Sequence, residues 1–188
     1  MRRLIVAISG ATGVIYAIAL LKALQNNKLY EIHLLISPWA ERIIKSETNF
    51  SVKQVKNYAS YYYAINDFTA PIASGSFKTD GMVVVPCSMK TLSAIAQGYA
   101  DNLMTRSADV VIKEKRKLIL VPRETPLSAI HLENMVKLAR LGIVILPPLP
   151  AFYYQPTSLN EMIDHLVSKI LDHLGIENHL YPRWGEEN

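Results

Sequence analysis

The residues of this chain best suited to chemistry are hydroxyls, backbone amides and an arginine, released where apolar runs end. Four such junctions occur: Ile8-Ser9-Gly10-Ala11-Thr12-Gly13, Ile36-Ser37-Pro38, Val85-Pro86-Cys87-Ser88-Met89-Lys90-Thr91 and Leu120-Val121-Pro122-Arg123-Glu124-Thr125-Pro126. In a parallel sheet, a junction that stops a strand and opens a helix lies at the carboxyl edge, where open α/β proteins bind ligands. The first turn of a helix leaves N–H groups unsatisfied and carries the positive end of the helix dipole, so this combination suits an anion. The hydroxyls of Ser9 and Thr12 are expected to hold a phosphate at the first helix start, with Ser88 and Thr91 adding a second pair. Simple chain reversal competes at the glycine turn, and N-capping competes at Ser88. The turn lacks the third glycine of the dinucleotide fingerprint, and the second strand ends in Ser37 where an acidic residue would bind a ribose diol. NAD is therefore disfavoured and a mononucleotide favoured.

The elements that must position these groups alternate along the chain. Leu4–Ile8 reads as a strand and Val14–Leu24 as a buried helix; Ile32–Ile36 is the next strand. Pro38 can occupy the first turn of a helix that runs over Trp39–Lys45, with Glu47 just beyond it. Residues 48–76 are weakly periodic, rich in tyrosine and interrupted by Pro71 and Gly75, which predicts a loop-rich insertion. Met82–Val85 is a third strand ending at Pro86, followed by helices over Met89–Gln97 and Asn102–Glu114 and a strand over Leu118–Val121. Pro126 and Ser128 open a helix to about Ala139, Gly142 ends it in left-handed geometry, and Ile143–Leu146 is a fifth strand. Pro147, Pro148, Pro150 and Pro156 enforce an extended segment before a helix over Leu159–Leu174 with one apolar face. Strands this apolar, alternating with helices, predict an α/β fold: a doubly wound parallel sheet with helices on both faces, as one domain over residues 1–188.

Composition narrows the function classes. Half of the 188 residues are hydrophobic, enough for a full core, and the formal charge of +4 comes from scattered Lys and Arg. Neither a nucleic-acid stripe nor a polybasic membrane anchor is visible. The single cysteine, Cys87, rules out an internal disulfide and fits a reducing compartment. No apolar run is long enough for a bilayer span, so a cytoplasmic protein is expected. His131 and His165 have no metal-ligand spacing with another His, Cys or acidic residue, and no metal is expected.

Further segments join the junctions in an ordered series: Glu47-Thr48, Ala70-Pro71-Ile72-Ala73-Ser74-Gly75-Ser76, Arg106-Ser107-Ala108-Asp109-Val110, Ile130-His131-Leu132-Glu133-Asn134-Met135, Phe152-Tyr153-Tyr154-Gln155-Pro156 and Pro182-Arg183-Trp184-Gly185. With these, nearly the whole chain resembles the UbiX-like flavin prenyltransferases. The resemblance implies a flavodoxin-like, Rossmann-type subunit assembled into dodecamers. It implies that reduced FMN is alkylated at N5 and C6 with the dimethylallyl group of dimethylallyl phosphate, giving prenylated FMN for a separate UbiD-like decarboxylase.

Residue by residue, the resemblance places FMN against Gly10, Ala11, Thr12, Ser37, Ser88, Met89, Lys90, Thr91 and Arg123. It places the donor's phosphate against Tyr153, Lys169 and Arg106, with Lys113 stabilising it as it leaves. Glu47 and Glu124 match acidic residues used around the flavin N5 and the phosphate, where protons must move. Plainer roles compete: a surface charge for Glu47, a solvated pair for Arg123 and Glu124, a snorkelling lysine at Lys169. Thr12 stands where the family often has serine, Phe68 where it often has tryptophan, and Lys169 where some members have arginine. A non-catalytic flavin carrier is one alternative, and two further readings share the fold and FMN. One is a subunit of an aromatic or phenolic acid decarboxylase, or such an enzyme itself. The other is a decarboxylase of cysteine-derived substrates, which uses a catalytic histidine and an Asn-containing motif where this chain has Pro86–Thr91.

Overall fold

The computed structural model describes residues 1–25, 27 and 29–185. These form a six-stranded, all-parallel sheet in the order β3-β2-β1-β4-β5-β6. Its strands are β1 (Arg2–Ile8), β2 (Tyr30–Ile36), β3 (Tyr61–Tyr63), β4 (Gly81–Cys87), β5 (Lys117–Pro122) and β6 (Val144–Ile145). The α-helices are α1 (Val14–Gln25), α2 (Pro38–Glu47), α3 (Val52–Lys56), α4 (Met89–Gln97), α5 (Leu103–Lys113), α6 (Ala129–Arg140) and α7 (Leu159–Leu174).

Strand residues alternate between two cores, because successive side chains point to opposite faces of a sheet. Leu4, Val6 and Ile8 enter one core with α1, α2 and α7, while Ile5 and Ala7 enter the other with α4, α5 and α6. Both faces are thus covered, which is why the central strands read as unbroken apolar runs. Fully buried side chains such as Leu21, Leu34 and Ile119 contribute about 2 kcal/mol each by removal from water. Helix starts follow local chemistry: Ser37, Ser51, Ser88, Asn102, Ser128 and Ser158 each accept a backbone N–H from the first turn. Gly142 takes φ 81 just after α6, the left-handed geometry that only glycine adopts at little cost.

The structure differs from the sequence expectation in several places. Residues 48–76 are more than a loop-rich insertion: they contain α3, closed by a Ser51/Gln54 capping box, and β3, the edge strand paired with β2. The three tyrosines of β3 show no apolar alternation, so pairing and aromatic packing create the strand. His33 is buried between Tyr61 and Tyr63, with ring centroids 5.1 and 5.8 Å away. Second, β4 continues through Pro86 to Cys87. Its register against β5 shifts between Val84 and Cys87, which accommodates a residue that cannot donate to the ladder. Third, Glu47 ends α2 instead of lying beyond it, and β6, the sixth strand, spans only Val144 and Ile145.

Candidate functional site

Sheet order reverses between β1 and β4, the neighbours from which the chain winds outward in both directions. In open α/β sheets the crevice beyond that switch point is where ligands bind. The four junctions are stitched together there. Ser37 N–H donates to the Ile8 carbonyl (3.0 Å), Ser9 N–H to the Pro86 carbonyl (3.2 Å) and Arg123 N–H to the Cys87 carbonyl (3.2 Å). Gly10 allows a close approach, since a Cβ at that position would stand 2.7 Å from Cβ of Trp39.

The Ser9 and Thr12 hydroxyls, expected to hold a phosphate, are both engaged within the chain. Ser9 is buried; its Oγ donates to the Pro86 carbonyl (2.8 Å) and accepts Ser88 N–H (2.7 Å). The Thr12 hydroxyl donates to Glu47, and Gly13 N–H donates to the other carboxylate oxygen at 2.9 Å. The start of α1 is therefore closed by a carboxylate of the chain itself.

Hydrogen-bond donors without partners inside their helices stand instead at the starts of α2 and α4. Ser88 does act as an N-cap: its Oγ accepts Thr91 N–H (3.3 Å) and donates to Thr91 Oγ1 (3.0 Å). Met89 and Lys90, as the first two residues of α4, have N–H groups without intrahelical partners, and the Thr91 hydroxyl keeps its own proton. Ser37 Oγ accepts Ala40 N–H at 3.1 Å and likewise keeps a proton to donate. Lys90 is loosely placed, its Nζ 4.0 Å from Asp101. The Arg123 side chain is exposed, and among the described residues no ion pair joins it to Glu124. Glu124 accepts its neighbour Thr125 N–H at 3.0 Å. Helix-start N–H groups, hydroxyls and a guanidinium are the donor types that a phosphate monoester takes. Cys87 is buried and its thiol is pushed far up by burial, so it is an inert packing residue.

The residues expected at the donor's phosphate are not brought together within one chain. Arg106 and Lys113 lie on α5, against the second core. Arg106 Nε donates to the Ala73 carbonyl (3.1 Å) and Nη1 to Asp109 (2.8 Å). Lys113 pairs with Glu114, whose carboxyl its hydrogen bond holds below the ordinary value. Lys113 also sits four residues before β5 begins, toward the amino edge of the sheet and away from the four junctions. Tyr153 and Lys169 lie with α7 on the first core's side.

Around α7 an aromatic cluster orders Tyr153. Its hydroxyl is 3.3 Å from Nε2 of His165, and Trp184 packs edge-on at 5.4 Å. Burial, followed by the Tyr181 hydroxyl, pushes the Tyr153 hydroxyl up to about 12, so it stays protonated. Lys169 Nζ lies 5.7 Å from the centroid of the Tyr181 ring. Arg183 binds Asp172 through both terminal nitrogens (3.0 and 2.7 Å) and anchors the tail that carries Trp184. Phe68 is half-exposed. His165, without the spacing of a metal ligand, lies four residues from Lys169, the one sequence signal that both share a helix face.

A doubly wound parallel sheet with a phosphate-suited switch point defines a mononucleotide-binding protein of the flavodoxin-like α/β class. The Flavoprotein family profile matches residues 1–175. The chain is 52% identical over 183 residues to the flavin prenyltransferase UbiX of Methanocaldococcus jannaschii, covering 97% of this chain and 98% of that one. It is 52% identical over 184 residues to the flavin prenyltransferase LpdB of Lactiplantibacillus plantarum, covering 98% of each. A dodecameric FMN-dependent UbiX-like decarboxylase from Escherichia coli O157:H7 superposes with a TM-score of 0.96 at 49% identity, over 98% of this chain and 100% of that one. AnUbiX in complex with FMN and dimethylallyl pyrophosphate gives the same TM-score and identity over 100% and 99%. The chain belongs to the UbiX-like flavin prenyltransferase family. The peptidyl-cysteine decarboxylase EpiD, at 19% identity and a TM-score of 0.64, shares the fold alone.

Proposed function

We propose that this protein joins the dimethylallyl group of dimethylallyl phosphate to reduced FMN, with the flavin phosphate at the starts of α2 and α4. The observation that carries the reading is the donor set at the switch point: the first-turn N–H groups of Met89 and Lys90, the Ser37 and Thr91 hydroxyls and the exposed Arg123. Gly10, Ala11 and Thr12 line the flavin side of that crevice. Reduced FMN, once bound, supplies a nucleophilic N5 that bonds the allylic carbon as the carbon–oxygen bond to phosphate breaks and N5 loses its proton; in ring closure C6 bonds the substituted alkene carbon, whose double bond takes up a proton as C6 loses one. The chain's own part is to hold both partners, stabilise the departing dianion and move protons. Lys113, Arg106, Tyr153 and Lys169 supply charge and hydrogen bonds to the leaving phosphate. Glu47 and Glu124 handle the protons of N5 and C6.

Because the two pairs of phosphate ligands lie on opposite faces of one subunit, neighbouring subunits complete the donor site, in a dodecamer like that of the Escherichia coli relative. Among the described residues no helix is long and apolar enough to cross a membrane. A cytoplasmic setting and transfer of prenylated FMN to a separate UbiD-like decarboxylase belong to the same proposal.

The test is anaerobic incubation with reduced FMN and dimethylallyl phosphate, followed by mass spectrometry of the extracted flavin. A mass gain of one dimethylallyl group less a hydrogen is expected; unchanged FMN overturns the reading. The Escherichia coli relative's description as a decarboxylase favours one second reading, a decarboxylase or its subunit. A catalyst that makes a cofactor can be removed after reaction with its partner, whereas a decarboxylase subunit must remain.

A further inference from the structure

Tyr153 is 43% exposed, yet its hydroxyl has a specific partner in His165, itself only 8% exposed. The imidazole is held on several sides. Tyr154 stacks on it at 5.4 Å and 17°, and Tyr181 meets it edge-on at 4.6 Å. Lys169, four residues on, lies on the same face of α7. Tyr154 and Trp184 pack edge-on against the Tyr153 ring, so what its hydrogen-bond partners set is the direction of the O–H, and each orientation away from the phosphate would lower the population able to bind it.

We propose that His165 is a positioning residue for the alkyl donor: its Nε2 orients the Tyr153 hydroxyl toward the donor's phosphate, beside the Lys169 ammonium. The inference rests on the assignment of Tyr153 and Lys169 to that phosphate. Its physical core is a tautomer exchange. Burial, aided by Lys169, lowers the proton affinity of His165, so the ring is neutral near neutral pH, with one N–H and one lone pair. With no anion present, the Tyr153 hydroxyl can donate to Nε2. Once a phosphate oxygen takes that proton in a hydrogen bond, contact with the ring survives only if Nε2 carries the N–H and donates to the phenol oxygen. A neutral imidazole can switch in this way, and donation to the phenol oxygen polarises the O–H toward the anion.

The test is steady-state kinetics with dimethylallyl phosphate varied at saturating reduced FMN. His165→Phe, which keeps the aromatic packing, is expected to raise KM for dimethylallyl phosphate about tenfold, with kcat changed less and FMN affinity unchanged. His165→Gln, which keeps an N–H at similar reach, is expected to return KM to within about threefold of the parent value. In a Tyr153→Phe background, His165→Phe should add no further penalty, since the group it orients is gone. An unchanged KM in His165→Phe, or an undiminished penalty in the Tyr153→Phe background, overturns the proposal. So does equal impairment of FMN binding in the Phe and Gln variants, which would mark a packing role. Absence of alkylated flavin from the parent protein would instead overturn the reading on which the inference rests.

Discussion

Glu47, the last residue of α2, accepts the backbone N–H of Gly13 at 2.9 Å through one carboxylate oxygen and the Thr12 hydroxyl through the other. One acidic side chain thereby ties the end of α2 to the turn before α1. A carboxylate there also lies near the positive end of the α1 dipole. The same group is the candidate for proton handling at the flavin, so structural and catalytic effects must be separated. Glu47→Gln keeps an acceptor and is expected to retain FMN while losing most turnover. Glu47→Ala should in addition lower stability by about 1 kcal/mol, since Gly13 and Thr12 lose their partner. Flavin titration alongside product formation checks this, and full turnover in Glu47→Gln would remove the residue from the chemistry.

Ser9 is a stability residue at the centre of the site. Its hydroxyl bridges β1 and β4 by donating to the Pro86 carbonyl and accepting Ser88 N–H. Ser9→Ala leaves a part-buried N–H unpaired and should cost about 1–3 kcal/mol. Chemical denaturation measures that loss. Because Ser88 opens α4, FMN affinity should fall in parallel; a variant with native stability would show that water replaces the bridge.

Gly10 is constrained by contact and not by backbone angle. A methyl group there would collide with Cβ of Trp39, an atom fixed to the first turn of α2. Gly10→Ala should push α2 away from β1, at a cost of about 1–3 kcal/mol, and weaken FMN through displacement of Ser37. The measurement is FMN affinity with a thermal melt. A paired Trp39→Gly change should relieve part of the effect.

His33 makes the edge of the sheet sensitive to acid. It is buried against Tyr61, Tyr63 and Phe77, and its nitrogens meet Glu31 and the Tyr63 hydroxyl at 2.9 Å. Burial lowers its proton affinity; Glu31 opposes this and Arg3 adds slightly to it. The unfolded chain therefore binds this proton more readily than the native one. Stability from this group is full above the ordinary value of 6.5 and is lost as pH falls from there through the lower native value. Denaturation midpoints should drop between neutral pH and pH about 5, and His33→Phe should flatten that slope even though it lowers stability overall. An equal slope in the variant would assign the effect elsewhere.

Much of this molecule was legible in the linear chain because the signals are local. Val83 to Val85 and Leu118 to Val121 announce buried strands by apolar content. Ser37, Ser88 and Ser128 announce helix starts because an N-cap uses only its own first turn. The switch-point crevice followed from those boundaries, as did the family through its ordered motifs. Residues 61–63 did not announce a strand, since three tyrosines carry no alternation and an edge strand exists through pairing with β2.

The sequence by itself determined which residues stand at strand ends and helix starts, and hence where candidate anion ligands cluster. Only the tertiary structure decided which of those groups remain available. Ser9 and Thr12 look like phosphate ligands until Pro86, 77 residues away from Ser9, and Glu47, 35 from Thr12, are seen to occupy them. It also decided that Arg106 and Lys113 lie across the sheet from Tyr153 and Lys169. Helix periodicity says that one face is buried, not against which side of a sheet. Right-handed crossovers settle that for α5, which leads into β5, but no strand follows α7, and its place is set by packing against α1.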